Sequence, residues 1–84
     1  MKVEVLLSGG CAKCKRDLPG LRAAAQGVDP DVDWRELDIV RVIDYAVELG
    51  VLKPPAIVIN GELVFPSLPS ADALAAAIRT RLER

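Results

Sequence analysis

Two cysteines, Cys11 and Cys14, are the residues of this chain whose type and spacing point most directly to chemistry. Two thiols separated by two residues can form a reversible disulfide, bind a soft metal ion or act as a structural crosslink. A crosslink is disfavoured, because a disulfide that closes so short a loop stabilises a fold least. A four-coordinate zinc site would need carboxylates or a second chain, since the sequence has no histidine and no third cysteine. Redox chemistry and binding of Cu(I) or arsenite remain open on the spacing alone.

The cysteine pair lies where a predicted strand ends and a predicted helix begins. Residues 3–7 are mainly apolar and predict a buried strand, which two glycines then end. Residues 11–26 predict a helix that Gly27 ends. The apolar face of that helix comprises Cys14, Leu18, Leu21 and Ala25, and its polar side Lys15, Arg22 and Gln26. A pair of cysteines between a strand and a helix favours redox chemistry over the other two interpretations.

The predicted helix makes the two cysteines unequal. Gly9 and Gly10 allow a tight turn that presents Cys11 at the helix N-terminus, where free N–H groups and the helix dipole stabilise a thiolate. Cys14 lies one turn further in, on the apolar face. In a redox pair, Cys11 would attack a substrate disulfide and Cys14 would then attack the mixed disulfide. Lys13 either adds positive charge beside the thiols or is an ordinary solvated side chain.

The middle of the chain predicts a second strand and a second helix. A turn at 29–31 precedes the strand, at residues 32–37. Asp38 is expected to cap a helix at 39–49, which Gly50 ends. The expected buried stripe of this helix is Ile39, Ile43, Ala46 and Val47.

The last third of the chain predicts a β-hairpin and a final helix. Asn60-Gly61 separates strands at 56–59 and 62–65, and this dipeptide suits a turn that needs two positive φ angles. Ser70 is expected to cap a helix at 71–83. Its expected inward residues are Leu74, Ile78 and Leu82.

The predicted element order is β-α-β-α-β-β-α in a single domain of residues 1–84. This order predicts an α/β fold with a four-stranded mixed sheet and helices on both faces. We expect the two strand–helix–strand crossovers to make the first three strands parallel, with the hairpin adding an antiparallel edge.

Composition excludes several classes of function. The formal net charge is −1, so nothing attracts the chain as a whole to nucleic acid or to an anionic membrane. No segment approaches the ~20 apolar residues of a membrane span, and the N-terminus lacks the form of a signal peptide. We therefore expect a cytoplasmic protein without membrane or nucleic-acid partners. Thiols are kept reduced in that compartment, which favours a catalytic or metal-binding pair.

Three features together resemble the thioredoxin superfamily. The first is Cys11-Ala12-Lys13-Cys14 after a buried strand. The second is Pro19, which lies inside the predicted helix eight residues beyond Cys11, where thioredoxins often carry a proline. The third is the stretch 50–61, in which a helix ends, a Pro-Pro pair follows and a hairpin begins. The chain is most similar to the small thioredoxin- or glutaredoxin-like proteins of archaea and bacteria.

The resemblance implies a thioredoxin-like fold and a protein-disulfide oxidoreductase. It implies that Cys11 is the nucleophile, that Cys14 is the resolving thiol and that no cofactor is needed beyond their redox-active disulfide. The implied partners are protein disulfides and an electron donor, either a thioredoxin-reductase-like enzyme or glutathione. A monomer is expected.

The resemblance also implies roles for residues around the cysteine pair, and some of these positions differ from the thioredoxin pattern. Pro55 corresponds to the family's cis-proline beside the cysteines. The residue before it is Pro54, which has no N–H to offer the main chain of a substrate. Gly10 stands where thioredoxins carry tryptophan. Val5 stands where they carry a buried acid, and Glu4 should face the other side of the strand.

Two further questions concern glutathione and metal. Ser70 and Asp72 open the last helix, where glutaredoxins bind glutathione, and they either hold a small anion or simply cap the helix. The alternative function is a soft-metal carrier for Cu(I) or arsenite that uses the same two thiolates. Copper carriers usually run β-α-β-β-α-β, so a final helix after the hairpin argues against this alternative.

Overall fold

A computed structural model describes residues 1–9, 12–51 and 53–83, with the backbone alone at residues 12–14. Its elements follow the predicted order of four strands and three helices. They are β1 (Lys2–Leu7), α1 (Ala12–Val28), β2 (Asp33–Asp38), α2 (Ile43–Leu49), β3 (Ala56–Ile59), β4 (Glu62–Phe65) and α3 (Ala71–Leu82). Among these residues, no helix has the length and apolar content that a membrane crossing requires.

The four strands form one mixed sheet in the order β2-β1-β3-β4. β1 and β2 are parallel, as predicted, and β3 and β4 form the predicted hairpin. The prediction of a third parallel strand is wrong, because β3 runs antiparallel to β1. β2 ends beside Leu7, and β3 starts opposite Leu6, at the same end of the sheet. The seven-residue α2 rises about 10 Å, half of the roughly 20 Å length of β1, so the helix alone does not carry the chain back to the far end before β3 begins.

Alternating side chains of the sheet pack against helices on both faces. Val3 and Val5 belong to a core cluster with residues of α1 and α3. Leu6 belongs to a second cluster with Val58 and Ala46, the latter from α2. The period of two along β1 therefore divides the protein into two layers of core.

α1 extends beyond its predicted end. Gly27 lies within the helix, so its prediction as the C-terminal stop is wrong. The described glycines with positive φ are Gly50 and Gly61, and Gly50 closes α2 as predicted. Glycine permits a left-handed conformation but does not require one. The backbone N–H of Asp29 still bonds to the carbonyl of Ala25 at 2.9 Å, and Pro30 follows with no N–H to continue the pattern.

α2 starts four residues later than predicted. Asp38 is the last residue of β2, and its side chain accepts a hydrogen bond from the Val40 N–H at 3.0 Å instead of capping a helix. Ile43 and Val47 are 53% and 69% exposed, so their predicted burial is wrong. The side that faces the sheet is formed instead by Val42, Ala46 and Leu49. Apolar residues surround this short helix on most sides, so helical periodicity alone did not select the buried face.

The hairpin turn and the cap of the last helix form as the sequence predicted. Asn60 and Gly61 have φ of 51° and 80°, the positive values that the turn needs. The Ser70 hydroxyl accepts a hydrogen bond from the Ala73 N–H at 3.1 Å and caps α3. Leu74 and Ile78 are fully buried, whereas Leu82, the last residue of α3, is 47% exposed and its inward prediction is wrong.

Candidate redox site and the adjoining groove

The cysteine motif bridges the end of β1 and the start of α1, as the sequence predicted. Gly10 and Cys11 lie outside the described residues. Lys13 and Cys14 belong to the first turn of α1, but their side chains also lie outside the description. The roles of these four residues therefore stay predictions, and the site is located through the elements on either side of it.

α1 is held against the sheet by the face that the sequence predicted. Leu18, Leu21 and Ala25 are buried in the cluster that contains Val3 and Val5 of β1. The predicted outer residues, Lys15, Arg22 and Gln26, are exposed. This packing fixes the start of α1, and with it the backbone of Cys14, above the end of β1.

Pro19 lies inside α1, as predicted, and is exposed. A proline has no N–H, so the carbonyl of Lys15, four residues earlier, lacks its usual helical donor. Lys15 directly follows Cys14, so this local change in the helix lies one turn beyond the motif.

The segment with the two prolines lies at the same end of the sheet as the motif. The Pro54–Pro55 peptide bond is cis, in agreement with the sequence prediction. Pro55 directly precedes Ala56, which lies opposite Leu6 in the β1–β3 pair. Because β1 ends here, the antiparallel direction of β3 brings the proline segment to the end of the sheet from which the chain continues into the motif. The role of Pro54 and Pro55 in substrate binding remains a prediction.

Glu4 and Val5 face opposite sides of the sheet, as the sequence predicted. Val5 is fully buried against α1. The Glu4 side chain is 6% exposed and faces α2, where the Tyr45 hydroxyl donates a hydrogen bond to its Oε1 at 2.5 Å. Lys2 Nζ lies 3.8 Å from the other carboxylate oxygen. The buried acid of β1 thus anchors α2 to the sheet and does not face α1.

The Glu4 contact perturbs the titration of Tyr45. The hydrogen bond to Glu4, then burial, then the negative charge of Glu4 raise the pKa of Tyr45 from 10.0 to about 12. Sequence reasoning missed this pair. The available signal was a carboxylate inside an otherwise buried strand, which requires a hydrogen-bond partner.

Trp34 of β2 is a partly buried residue of the sheet. It lies against the α1-side cluster from β2. Its indole Nε1 donates to Glu36 Oε2 at 2.9 Å, which holds that carboxylate on the α1 side of the sheet. At the start of α3, the Ser70 contact with the Ala73 N–H agrees with the interpretation of a helix cap.

An open groove of about 660 Å³ runs between α1 and the C-terminal end of β2. Sequence reasoning did not predict it, because its walls come from segments far apart in the chain. Its described lining is Leu7, Ser8, Gly9, Lys15, Leu18, Pro19, Arg22, Ala23, Gln26, Glu36, Leu37 and Asp38. A smaller cavity of about 170 Å³ lies beside the proline segment, between Gly50, Val51, Lys53, Ala56, Leu63 and Pro66. Within the described part of the chain, no group of three or more acidic, histidine or cysteine side chains is placed to hold a metal ion.

Comparison with known proteins places these features in a family. Residues 1–79 match the family model described as "Thioredoxin domain". A thioredoxin of Methanocaldococcus jannaschii is 29% identical over 82 residues, covering 98% of this chain and 96% of its own length. A probable thioredoxin of Methanothermobacter thermautotrophicus is 30% identical over 83 residues, covering 99% and 98%.

A solved structure shows the same fold. Thioredoxin 1 from the thermophilic eubacterium Thermosipho africanus superposes with a TM-score of 0.76 at 24% sequence identity. The match covers 99% of this chain and 96% of that one. The four-stranded mixed sheet with three helices is therefore a thioredoxin-like fold, and the cysteine motif of the sequence falls at the junction of its first strand and first helix.

Proposed function

The chain belongs to the thioredoxin domain family, and from that premise we propose that it is a thiol–disulfide oxidoreductase that reduces protein disulfides through Cys11 and Cys14. One observation carries the proposal: the only two cysteines of the sequence stand three positions apart at the junction of β1 and α1 in a thioredoxin-like fold. The named relatives support a thioredoxin-type redox protein.

The proposed reaction is two successive thiol–disulfide exchanges. The Cys11 thiolate attacks one sulfur of the substrate disulfide, forms a mixed disulfide and releases the other substrate sulfur as a thiolate. Cys14, once deprotonated, attacks the Cys11 sulfur, forms the Cys11–Cys14 disulfide and releases the second substrate thiolate. Two electrons have then passed to the substrate, whose thiolates take up protons from solvent. A thioredoxin-reductase-like enzyme or glutathione returns two electrons to the pair.

Three residues around the pair support the exchange in this proposal. The N-terminus of α1 stabilises the Cys11 thiolate, and Gly10 leaves its approach open. Lys13 adds a positive charge, and Pro55 contacts the substrate beside the cysteines. Pro54 removes one main-chain donor, so protein substrates bind less generally here than in a thioredoxin with an N–H at that position.

The proposed setting follows from the same chemistry. The chain acts as a single-domain monomer in the cytoplasm, where a reducing donor is present, and it needs no cofactor other than the disulfide. The alternative, a carrier of Cu(I) or arsenite, uses the same thiolates without exchange. The order of β4 and α3 at the end of the chain differs from the order usual for copper carriers.

The decisive experiment measures insulin reduction by the whole chain with NADPH and thioredoxin reductase, and separately with glutathione and its reductase. We expect turnover with one donor, no turnover for Cys11→Ser, and a trapped mixed disulfide with substrate for Cys14→Ser. Ser8→Ala is the matched control, since it removes a hydroxyl near the motif and leaves both thiols. Absence of turnover with both donors, combined with tight Cu(I) binding by a chain whose thiols are reduced, would establish the metal carrier instead.

A further inference from the structure

Asn60, the only asparagine of the sequence, directly precedes a glycine in the turn between β3 and β4. Both residues of this turn are exposed. Among the residues that the structure describes, a Cβ placed on Gly61 would meet no atom within 4 Å beyond its chain neighbours. A glycine offers the least hindered backbone nitrogen, so the Asn60 side chain stands next to an accessible nucleophile of its own main chain.

The chemistry open to this pair is succinimide formation, since asparagine is one of the thermolabile residues of proteins. The Gly61 nitrogen attacks Cγ of Asn60 and forms a C–N bond. The side-chain nitrogen leaves as ammonia, with the proton that the Gly61 N–H gives up. Water then opens the five-membered ring at either carbonyl, which leaves aspartate or isoaspartate at position 60. No oxidant, reductant or cofactor takes part, and the chain gains one negative charge.

The folded turn holds Asn60 away from the geometry of this reaction. The φ angles of 51° at Asn60 and 80° at Gly61 fit a type I′ turn, in which the first of the two residues has a ψ of about 30°. This ψ places the Asn60 Cβ and the Gly61 nitrogen on nearly opposite sides of the Cα–C bond, whereas ring closure needs them on the same side. The turn must therefore open before the ring can form.

Two hydrogen bonds to the first residue of β1 oppose that opening. The Lys2 N–H donates to the Asn60 side-chain oxygen at 3.0 Å. The Asn60 N–H donates to the Lys2 carbonyl at 2.9 Å. The first bond holds the side-chain carbonyl group that the Gly61 nitrogen attacks, and the second holds the backbone of the turn. Because Lys2 and Asn60 are 58 positions apart, this protection exists only in the folded chain.

The two products of the reaction differ in their effect on the hairpin. Aspartate keeps an oxygen that accepts the Lys2 N–H bond, and it tolerates a positive φ. Isoaspartate routes the main chain through Cβ, which lengthens the two-residue turn that sets the register of β3 and β4. Lys2 lies beside this turn, whereas the cysteine motif follows Leu7, roughly 17 Å further along β1. Modification thus affects the stability of the hairpin and not the thiols directly.

We propose that Asn60 is a site of spontaneous modification to isoaspartate, and that its hydrogen bonds to Lys2 set the rate of this reaction in the folded protein. The exposed isoaspartyl carboxylate has the chemistry that a carboxyl methyltransferase recognises. The inference does not depend on the proposed oxidoreductase function, because neither cysteine takes part.

The test follows the full chain, folded in buffer and unfolded in urea, during incubation at mildly alkaline pH. Isoaspartate is measured by enzymatic methylation with a labelled methyl donor and is located by peptide mass mapping. We expect isoaspartate at position 60 in both states, formed at least about tenfold more slowly in the folded chain, because the turn must first open. Asn60→Gly, which suits the same turn, should form none there.

Substitutions of Lys2 isolate the hydrogen bond to the Asn60 side chain. Lys2→Pro removes the N–H that donates to this side chain, and proline is accepted at the first residue of a strand. Lys2→Ala is the matched control, since it removes the same side chain and its ion pair with Glu4 but keeps the N–H. We expect the folded Lys2→Pro protein to be modified about three- to tenfold faster than Lys2→Ala, as loss of one hydrogen bond would give, and both to react equally fast in urea.

Circular dichroism establishes that the variants are folded. If Lys2→Pro does not fold, hydrogen exchange of the Lys2 amide in the wild type decides instead, and exchange as fast as in an unfolded peptide would overturn the role of the bond. Equal folded rates for Lys2→Pro and Lys2→Ala would overturn it as well. Absence of isoaspartate at position 60 from the urea-unfolded chain would overturn the site, and equal rates in the folded and unfolded wild type would overturn its protection by the turn.

Discussion

Removal of the Tyr45 hydroxyl should destabilise the fold by about 2 kcal/mol, since a hydrogen bond to a charged group contributes roughly 1.5–3 kcal/mol. The hydroxyl donates to Glu4 Oε1 at 2.5 Å, and the Glu4 side chain is only 6% exposed. Tyr45→Phe keeps the ring and its packing but leaves this carboxylate without its tyrosine donor. For a domain of this size, that loss corresponds to a fall in Tm of roughly 8–16 °C.

The stabilisation by this hydrogen bond should decrease at high pH. The folded state raises the pKa of Tyr45 from 10.0 to about 12. The Tyr45 hydroxyl of the folded protein therefore keeps its proton at pH values at which the same hydroxyl of the unfolded chain loses it. The stabilisation is fully present below pH 10 and is lost as the pH rises toward 12. This rise in the pKa of Tyr45 corresponds to about 3 kcal/mol, and solvent screening of this partly buried residue brings the expected value nearer 2 kcal/mol.

The assay is urea unfolding of wild type and Tyr45→Phe between pH 7 and 11.5, followed by Trp34 fluorescence and circular dichroism. The difference in unfolding free energy should be constant up to about pH 10 and then shrink. Thr80→Val is the matched control, because it removes a hydroxyl that bonds to a carbonyl within α3 and should change stability by less than about 0.5 kcal/mol at this exposed position. A Tyr45→Phe protein within 0.5 kcal/mol of wild type, or a difference that does not shrink above pH 10, would refute the assigned role of this pair.

Four further substitutions, at three positions, test the helix cap of α3 and the burial of side chains. Ser70→Ala should destabilise the protein by about 1 kcal/mol, because α3 loses the cap on the Ala73 N–H. Ser70→Asp should keep most of the wild-type stability, because a carboxylate can accept the same hydrogen bond. Equal urea midpoints for Ser70→Ala and wild type would contradict the role of the cap. Leu74→Ala should cost about 2–5 kcal/mol because Leu74 is fully buried, whereas Val47→Ala, at a 69% exposed position, should stay within about 0.5 kcal/mol. A loss of about 2 kcal/mol or more for Val47→Ala in thermal unfolding would mean that the buried face of α2 has been misassigned, and a loss below about 0.5 kcal/mol for Leu74→Ala would contradict the burial of Leu74.

Local signals in the sequence predicted the features that depend on a few neighbouring residues. The turn at Asn60-Gly61 requires only that two adjacent residues accept positive φ. The cap at Ser70 requires a hydroxyl three residues before a free N–H. The apolar spacing of Leu18, Leu21 and Ala25 likewise fixes one face of a long helix, and that face is the buried one.

Predictions that required knowledge of distant partners were less accurate. The sequence places apolar residues on several sides of α2, so only the position of the sheet decides that Ala46 is buried and Ile43 is exposed. The resemblance to thioredoxins correctly indicated the fold and the cis Pro54–Pro55 bond, although the interpretation of the crossovers gave β3 the wrong direction.

The sequence by itself determined which elements form, their order and the position of the cysteine motif at the junction of a strand and a helix, because hydrophobic periodicity, caps and turns act over a few residues. The tertiary structure decided which distant segments meet. It joined Glu4 to Tyr45, 41 positions away, and placed α1 and the end of β2 on opposite sides of one groove. Such pairings depend on the direction and register of strands, which the chain settles by burying apolar surface as a whole. The position of the cysteine pair can thus be predicted from neighbouring residues, whereas the groove between α1 and the end of β2 exists only in the folded protein.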